Sequence, residues 1–157
     1  MIEIRPARAG DAALILRLLR ALADYEKMLD HARMTEAQVE AAILSPGARV
    51  FCDIAEADGE PVGLAIWYYN FSTFEGRAGI YLEDIFVVPE ARGTGAGVAL
   101  MRHLARRCRD EGLKRLQWQV LDWNPAIAFY ERLGAKPSTE WLPYSLHGRA
   151  LMALAES

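Results

Sequence analysis

Cysteine is scarce in this chain, and Cys52 and Cys108 are too few for a disulfide framework. Both read as reduced thiols in or near a core. The three histidines, His31, His103 and His147, are scattered without the spacing of metal ligands, so no metal site is expected. No apolar stretch approaches the ~20 residues a membrane span needs. The opening MIEIRPARAGD has no apolar core of a signal peptide. These absences disfavour membrane and secreted classes, and a cytoplasmic location is expected. The net charge of −3 offers no basic surplus for nucleic acid and suits a cationic partner. Arg102, Arg106, Arg107 and Arg109 read as a solvated helix face rather than a nucleic-acid stripe. Repeats, linkers and low-complexity tracts are missing too. With 157 residues, 52% of them hydrophobic and 25% charged, the chain is expected to form one domain over 1–157 with a sizeable core.

What is present alternates between strand and helix patterns. Ile2 to Arg5 alternates apolar and charged residues and stops at Pro6. After Asp11, apolar residues at 14, 15, 18, 19 and 22 have the spacing of a helix buried on one side, fading near Tyr25. Thr35 followed by Gln38 has the form of a capping box and predicts a second helix to Leu44. Val50 to Glu56 and Val62 to Phe71 read as strands around the hairpin signal Asp58-Gly59. Gly79 to Val88 is the next strand, Gly95 to Glu111 a helix stopped by Gly112, and Leu116 to Leu121 a further strand. Asn124-Pro125 opens a helix that runs to Leu133 before Gly134. Two more strands are expected in the tail, at Ser138 to Leu142 and His147 to Leu154. The order predicts an α/β sheet of mixed direction rather than a Rossmann alternation.

The stretch Tyr81 to Met101, YLEDIFVVPEARGTGAGVALM, says most about chemistry. An apolar strand runs into Arg92-Gly93-Thr94-Gly95-Ala96-Gly97 and then an amphipathic segment. Strand, glycine-rich turn and helix expose backbone N–H groups at a helix N-terminus, where the helix dipole favours an anion such as phosphate. The P-loop lysine is missing, and the glycine spacing is not that of a Rossmann turn. Glu83 and Asp84 lie just upstream. In a regular strand they point to opposite faces, whereas a bulge would bring both toward one cleft.

The glycine-rich hexapeptide, with the block Asn124-Pro125-Ala126-Ile127-Ala128-Phe129-Tyr130-Glu131-Arg132-Leu133-Gly134-Ala135, resembles the GCN5-related N-acetyltransferase (GNAT) family. Leu22 to Glu26, Tyr81 to Asp84 and Trp123-Asn124 are similar to its diamine (spermidine/spermine) and thialysine acetyltransferases. The resemblance implies a mixed sheet of about seven strands flanked by about four helices, splayed between the fourth and fifth strands. It implies acetyl-coenzyme A as cosubstrate. The pyrophosphate would lie on the backbone of Arg92, Gly93, Thr94, Gly95, Ala96, Gly97 and Val98, with Asn124 and Tyr130 also at the coenzyme. Backbone groups of Ile85, Phe86 and Val87 would pair with the acetyl group and pantetheine arm, the Ile85 N–H serving as oxyanion donor.

The reaction so implied transfers acetyl to a primary amine of a small cationic molecule by direct attack in a ternary complex. An ammonium with a pKa near ~10 must first lose a proton, a task for Glu83, and Tyr130 would act as acid to the leaving sulfur. Tyr25, Glu26, Glu83, Asp84, Trp123 and Glu140 would line the amine end, pairing carboxylates with aromatic faces. Trp123 and Tyr130 stand one residue closer than in the family, a change expected to fall in the loop at Asn124-Pro125. A homodimer is implied, with C-terminal strands paired across subunits. Two other readings share these residues: transfer to a protein lysine or N-terminus, and a non-catalytic acyl-coenzyme A binding domain.

Overall fold

The computed structural model describes residues 1–157. Its backbone falls into two compact units, Met1–Gln119 and Val120–Ser157. In the first, five strands form one sheet in the order β1(Ile2–Pro6), β2(Phe51–Ala57), β3(Glu60–Ser72), β4(Arg77–Val87) and β5(Leu116–Gln117). The first four are antiparallel neighbours, and β5 lies parallel to β4. Asp58 and Gly59, both at positive φ, make the tight β2–β3 turn read from the sequence.

Helix α1(Ala12–Tyr25) covers one face of the sheet. Its Ile15, Leu18 and Leu22 pack with Ile54, Leu64, Ile66 and Phe86 into the principal core. Thr35 and Gln38 form the expected capping box at α2(Glu36–Val39), which continues into a π-helical turn, Glu40–Leu44. The other face carries α3(Ala96–Asp110), with Leu100 and Leu104 fully buried. There the buried Asp53 accepts from Trp67 Nε1 at 2.7 Å, and His103 Nε2 stands 3.4 Å from its other oxygen.

Strand β5 is shorter than the sequence suggests. Pairing with β4 is confined to Ile80 with Leu116 and Tyr81 with Gln117. Beyond Tyr81, β4 therefore has no partner on that side, and the expected splay between the fourth and fifth strands lies here.

The second unit holds α4(Ala126–Arg132) and α5(Gly148–Ala155). Asn124 Oδ1 accepts from the Ala126 N–H at 2.9 Å, which opens α4 as the Asn-Pro signal predicts. The tail departs from expectation. Ser138 to Leu142 has no regular structure, and His147 to Leu154 is largely the helix α5 instead of a strand. The sheet thus has five strands rather than about seven, and the chain five α-helices rather than about four, while the mixed α/β class stands.

Candidate active site

The register of β3 against β4 decides where the carboxylates point. Ile66 pairs with Asp84, but Trp67 pairs with Leu82, so Glu83 is an extra residue on β4 and forms a bulge. Cross-strand partners share a face. Asp84 is therefore on the α1 face with Ile66 and Phe86, and Leu82 is on the α3 face with Trp67. Tyr81, opposite Tyr68, is also on the α1 face, and the Tyr68 hydroxyl donates to Glu83 Oε2 at 3.3 Å. Both carboxylates consequently open toward one cleft. A regular strand would have sent one of them into the α3 core.

Asp84 faces a cavity of about 360 Å³ between α1 and the segment that follows it. Leu16, Leu19, Leu22 and Met34 give apolar wall, and Glu26 supplies a second carboxylate. Burial, then the charges of Glu83 and Glu26, push the Asp84 carboxyl up to about 6. Burial also raises Glu26. Glu83 is exposed, beside the stacked rings of Tyr68 and Tyr81, 5.3 Å between centroids. Both phenols are raised by burial and then by the Glu83 charge. Two carboxylates, Asp84 and Glu26, thus line a largely apolar cavity, and the charge of exposed Glu83 acts on Asp84 from outside it.

Tyr25, at the end of α1, lies under the Arg92 guanidinium at 4.4 Å, and Arg92 Nε donates to the Val87 carbonyl at 3.2 Å. Arg92 ties the end of α1 to the end of β4 and the glycine-rich loop. In that loop Gly93 and Gly95 have φ of 80° and 95°, values that favour glycine. Ala99 is the first α3 amide bonded back along the helix, to Gly95 O at 2.9 Å. The amides of Ala96, Gly97 and Val98 point out of the helix start. A Cβ at Gly93 or Gly95 would meet nothing within 4 Å, so the space over the loop is open, and amides at a helix start favour an anion. Ile85, Phe86 and Val87 continue β4 beside it, along the edge that β5 leaves.

The thiols are poor nucleophiles. Burial pushes Cys52 up to about 12 and also raises Cys108. No cluster of three or more His, Cys, Asp or Glu side chains is placed to hold a metal, and no helix is long and apolar enough to cross a membrane.

The remaining residues singled out in the sequence belong to the second unit. Tyr130 is half-buried on α4, with its ring 5.3 Å from that of Phe129. Asn124 is buried, Trp123 is 46% exposed and Glu140 is exposed in an irregular segment. Sequence reading missed Tyr68, whose only signal was a tyrosine on a strand neighbouring the carboxylates. Arg20 and Arg33, which also line the cavity, carry no motif at all.

The acetyltransferase (GNAT) family matches residues 15–135. A thialysine N-epsilon-acetyltransferase from Bos taurus is 40% identical over 166 residues, covering 98% of this chain and 97% of its own. An L-ornithine N5-acetyltransferase from Arabidopsis thaliana is 34% identical over 118 residues, covering 74% of this chain and 52% of its own. Among solved structures, an integron cassette protein from the mobile metagenome of V. cholerae superposes with a TM-score of 0.82 at 28% identity, covering 99% of this chain and 98% of that one. The family match takes in the cleft carboxylates, the glycine-rich loop and Tyr130 together, and the chain belongs to the GNAT family of N-acetyltransferases.

Proposed function

We infer that the protein transfers acetyl from acetyl-coenzyme A to a primary amine of a small cationic acceptor, and that the two units act as one acetyltransferase domain. The observation that carries this reading is the bulge at Glu83. It sets Glu83 and Asp84 on one face, beside Glu26 and upstream of an anion-fitting loop. The coenzyme supplies the activated thioester. Asp84 and Glu26 attract the ammonium and steer it toward β4. Exposed Glu83 accepts its proton directly or through water, and the free amine can then attack. The Ile85 N–H stabilises charge on the acetyl oxygen, while Phe86 and Val87 hold the pantetheine arm. Arg92 to Val98 hold the pyrophosphate with Asn124, and Tyr130 protonates the departing sulfur. Trp123 and Glu140 complete the amine end. Attack is direct, since both thiols are kept protonated at neutral pH and neither is suited to carry the acetyl group.

The names of the relatives, thialysine and ornithine acetyltransferases, support an acceptor with a terminal amine. A homodimer is proposed on the apolar side chains that the tail exposes, such as Leu142, Met152 and Leu154. The principal test is thiol release from acetyl-coenzyme A with a panel of diamines, polyamines and ω-amino acids. Turnover should fall at least ~100-fold in Tyr130→Phe or Glu83→Gln, the size typical of a lost acid or base. Wild-type rates in both variants would remove those roles. Labelled acetyl-coenzyme A incubated alone with the protein should leave no stable label; label retained on the chain would sink direct attack.

A further inference from the structure

Arg92 is exposed at the head of the glycine-rich loop, yet its side chain reaches back to neutral partners on two other elements. Its guanidinium lies 4.4 Å from the Tyr25 ring centroid and 5.9 Å from that of Phe86, and its Nε–H donates to the Val87 carbonyl at 3.2 Å. Tyr25 is the last residue of α1, and Glu26, the next, lines the cavity beside Asp84. That helix end is a place where the chain can open. The amides of Glu26, Lys27 and Met28 close it with bonds to the carbonyls of Leu22, Asp24 and Ala23 at 2.9, 3.0 and 2.7 Å. The last two are the paired bonds of a Schellman turn, with lysine where glycine is usual. Lys27 holds a φ of 58°, a left-handed conformation that a residue with a Cβ adopts only at a cost.

Resting on the coenzyme reading above, we propose that Arg92 is a positioning residue whose side chain couples the loop to the end of α1. A coenzyme held on the loop amides steadies, through Arg92 and Tyr25, the strained turn that carries Glu26. Arg92 belongs to the loop through its backbone and to α1 through its side chain. An anion seated on the amides of Ala96, Gly97 and Val98 fixes the loop, and with it the base from which the side chain extends. The bond to Val87 sets the direction of that side chain, because the Nε–H is engaged there and the flat of the guanidinium is left against the Tyr25 ring. Once the guanidinium is steadied, unwinding of the last turn of α1 must break the stack as well. The coupling cannot exceed the worth of that stack, about two- to fivefold in an equilibrium for a cation–π pair at an exposed position. It is also reciprocal: whatever steadies the end of α1 raises the affinity for the coenzyme by the same factor.

Hydrogen exchange of the whole protein, with and without saturating coenzyme A, reads the amides of Glu26, Lys27 and Met28. Coenzyme A should slow them about two- to fivefold in the wild type. The slowing should vanish in Arg92→Gln and in Tyr25→Leu, and persist in Tyr25→Phe, which keeps the ring. A contact that only held α1 in place would speed exchange in the variants with and without the coenzyme alike, and the ratio of the two rates would stay as in wild type. Calorimetric titration of coenzyme A sets saturation for each protein, so a weaker-binding Arg92→Gln is still compared fully loaded. Tyr25→Leu probes the same contact from its other side, independently of how Arg92→Gln folds. Unchanged exchange at these amides while coenzyme A binds would overturn the proposal and leave the acetyltransferase reading standing. Slowing of wild-type size in both Arg92→Gln and Tyr25→Leu would do the same. Failure of the wild type to bind coenzyme A would overturn the reading and the proposal together.

Discussion

The ionisation of Asp84 is tied to the fold. Its carboxyl titrates near 6 in the folded protein, against an ordinary value of 3.8. Between those two values the folded state holds more protons than the unfolded chain, so this group makes stability fall as pH rises from about 4 to 6 and stay lower above. Asp84→Asn should therefore be more stable than wild type by about 1–2 kcal/mol at pH 7, after discounting for partial exposure, with the gain gone near pH 3.5. Urea unfolding at both pH values checks this; an equal gain at the two would show that titration is not its source. Tyr68 offers a second residue-scale test. Removing its hydrogen bond to Glu83 in Tyr68→Phe should lower kcat/KM for the amine about fivefold, the worth of about 1 kcal/mol, and leave the KM for acetyl-coenzyme A unchanged. A shift confined to the coenzyme would count against its positioning of Glu83. Glu26, Glu83 and Asp84 could be picked out of the sequence because they sit in motifs. Arg20 and Tyr68 could not, because a charged residue on an amphipathic helix and a tyrosine on a strand are common everywhere. Their meaning comes from what the fold sets opposite them.

At the scale of elements, the hairpin, the capping box and the helix after Gly95 were all legible, since each depends on a few local residues with fixed conformational demands. The two tail strands were not. In Ala150-Leu151-Met152-Ala153-Leu154 the apolar residues satisfy helical spacing as well as a strand run, and a strand also needs a free edge to pair with. No such partner is formed, and the segment closes its own hydrogen bonds as α5. The bulge was equally hidden, because register is a property of two strands together. Gly63 shows how tightly β3 and β4 approach. A Cβ there would stand 2.5 Å from the Phe86 carbonyl oxygen and 3.1 Å from Val87 Cγ2. Gly63→Ala should cost about 1–3 kcal/mol of stability through displaced backbone, and should raise the KM for acetyl-coenzyme A by disturbing β4. Thermal unfolding and coenzyme titration measure the two effects; an unchanged melting temperature would show that the strands part freely.

Across the whole molecule, burial is uneven. The largest fully buried side chains, from Ile15 through Trp67 to Leu104, all belong to the first unit, and in the second only Asn124 is buried. Amide exchange should follow this division. Protection in β2, β3 and β4 should approach that of global unfolding, while amides between 136 and 147 should exchange within seconds. Mass spectrometry after brief labelling reads the difference, and uniform protection would contradict it. The family match crosses the division, since residues 15–135 take in most of the first unit and the start of the second. If the dimer forms as proposed, dilution should lower tail protection first.

The extra residue at Glu83 also limits how the protein can change. A strand with such an insertion behaves as a sequence in two phases: Arg77 to Leu82 counts its inward positions on one parity, and Asp84 to Val87 on the other. Deleting Glu83 would restore a perfect ladder, with Trp67 opposite Leu82 and Ile66 opposite Asp84, and every downstream side chain would keep its face; what is lost is the bulge that turns a second carboxylate toward the α1 face. Length changes in the hairpin loop at 73–76 carry no such consequence. Relatives by descent, and variants made in the laboratory, should therefore tolerate insertions and deletions there, whereas loss of Glu83 should leave the fold intact and cost the site one of its carboxylates.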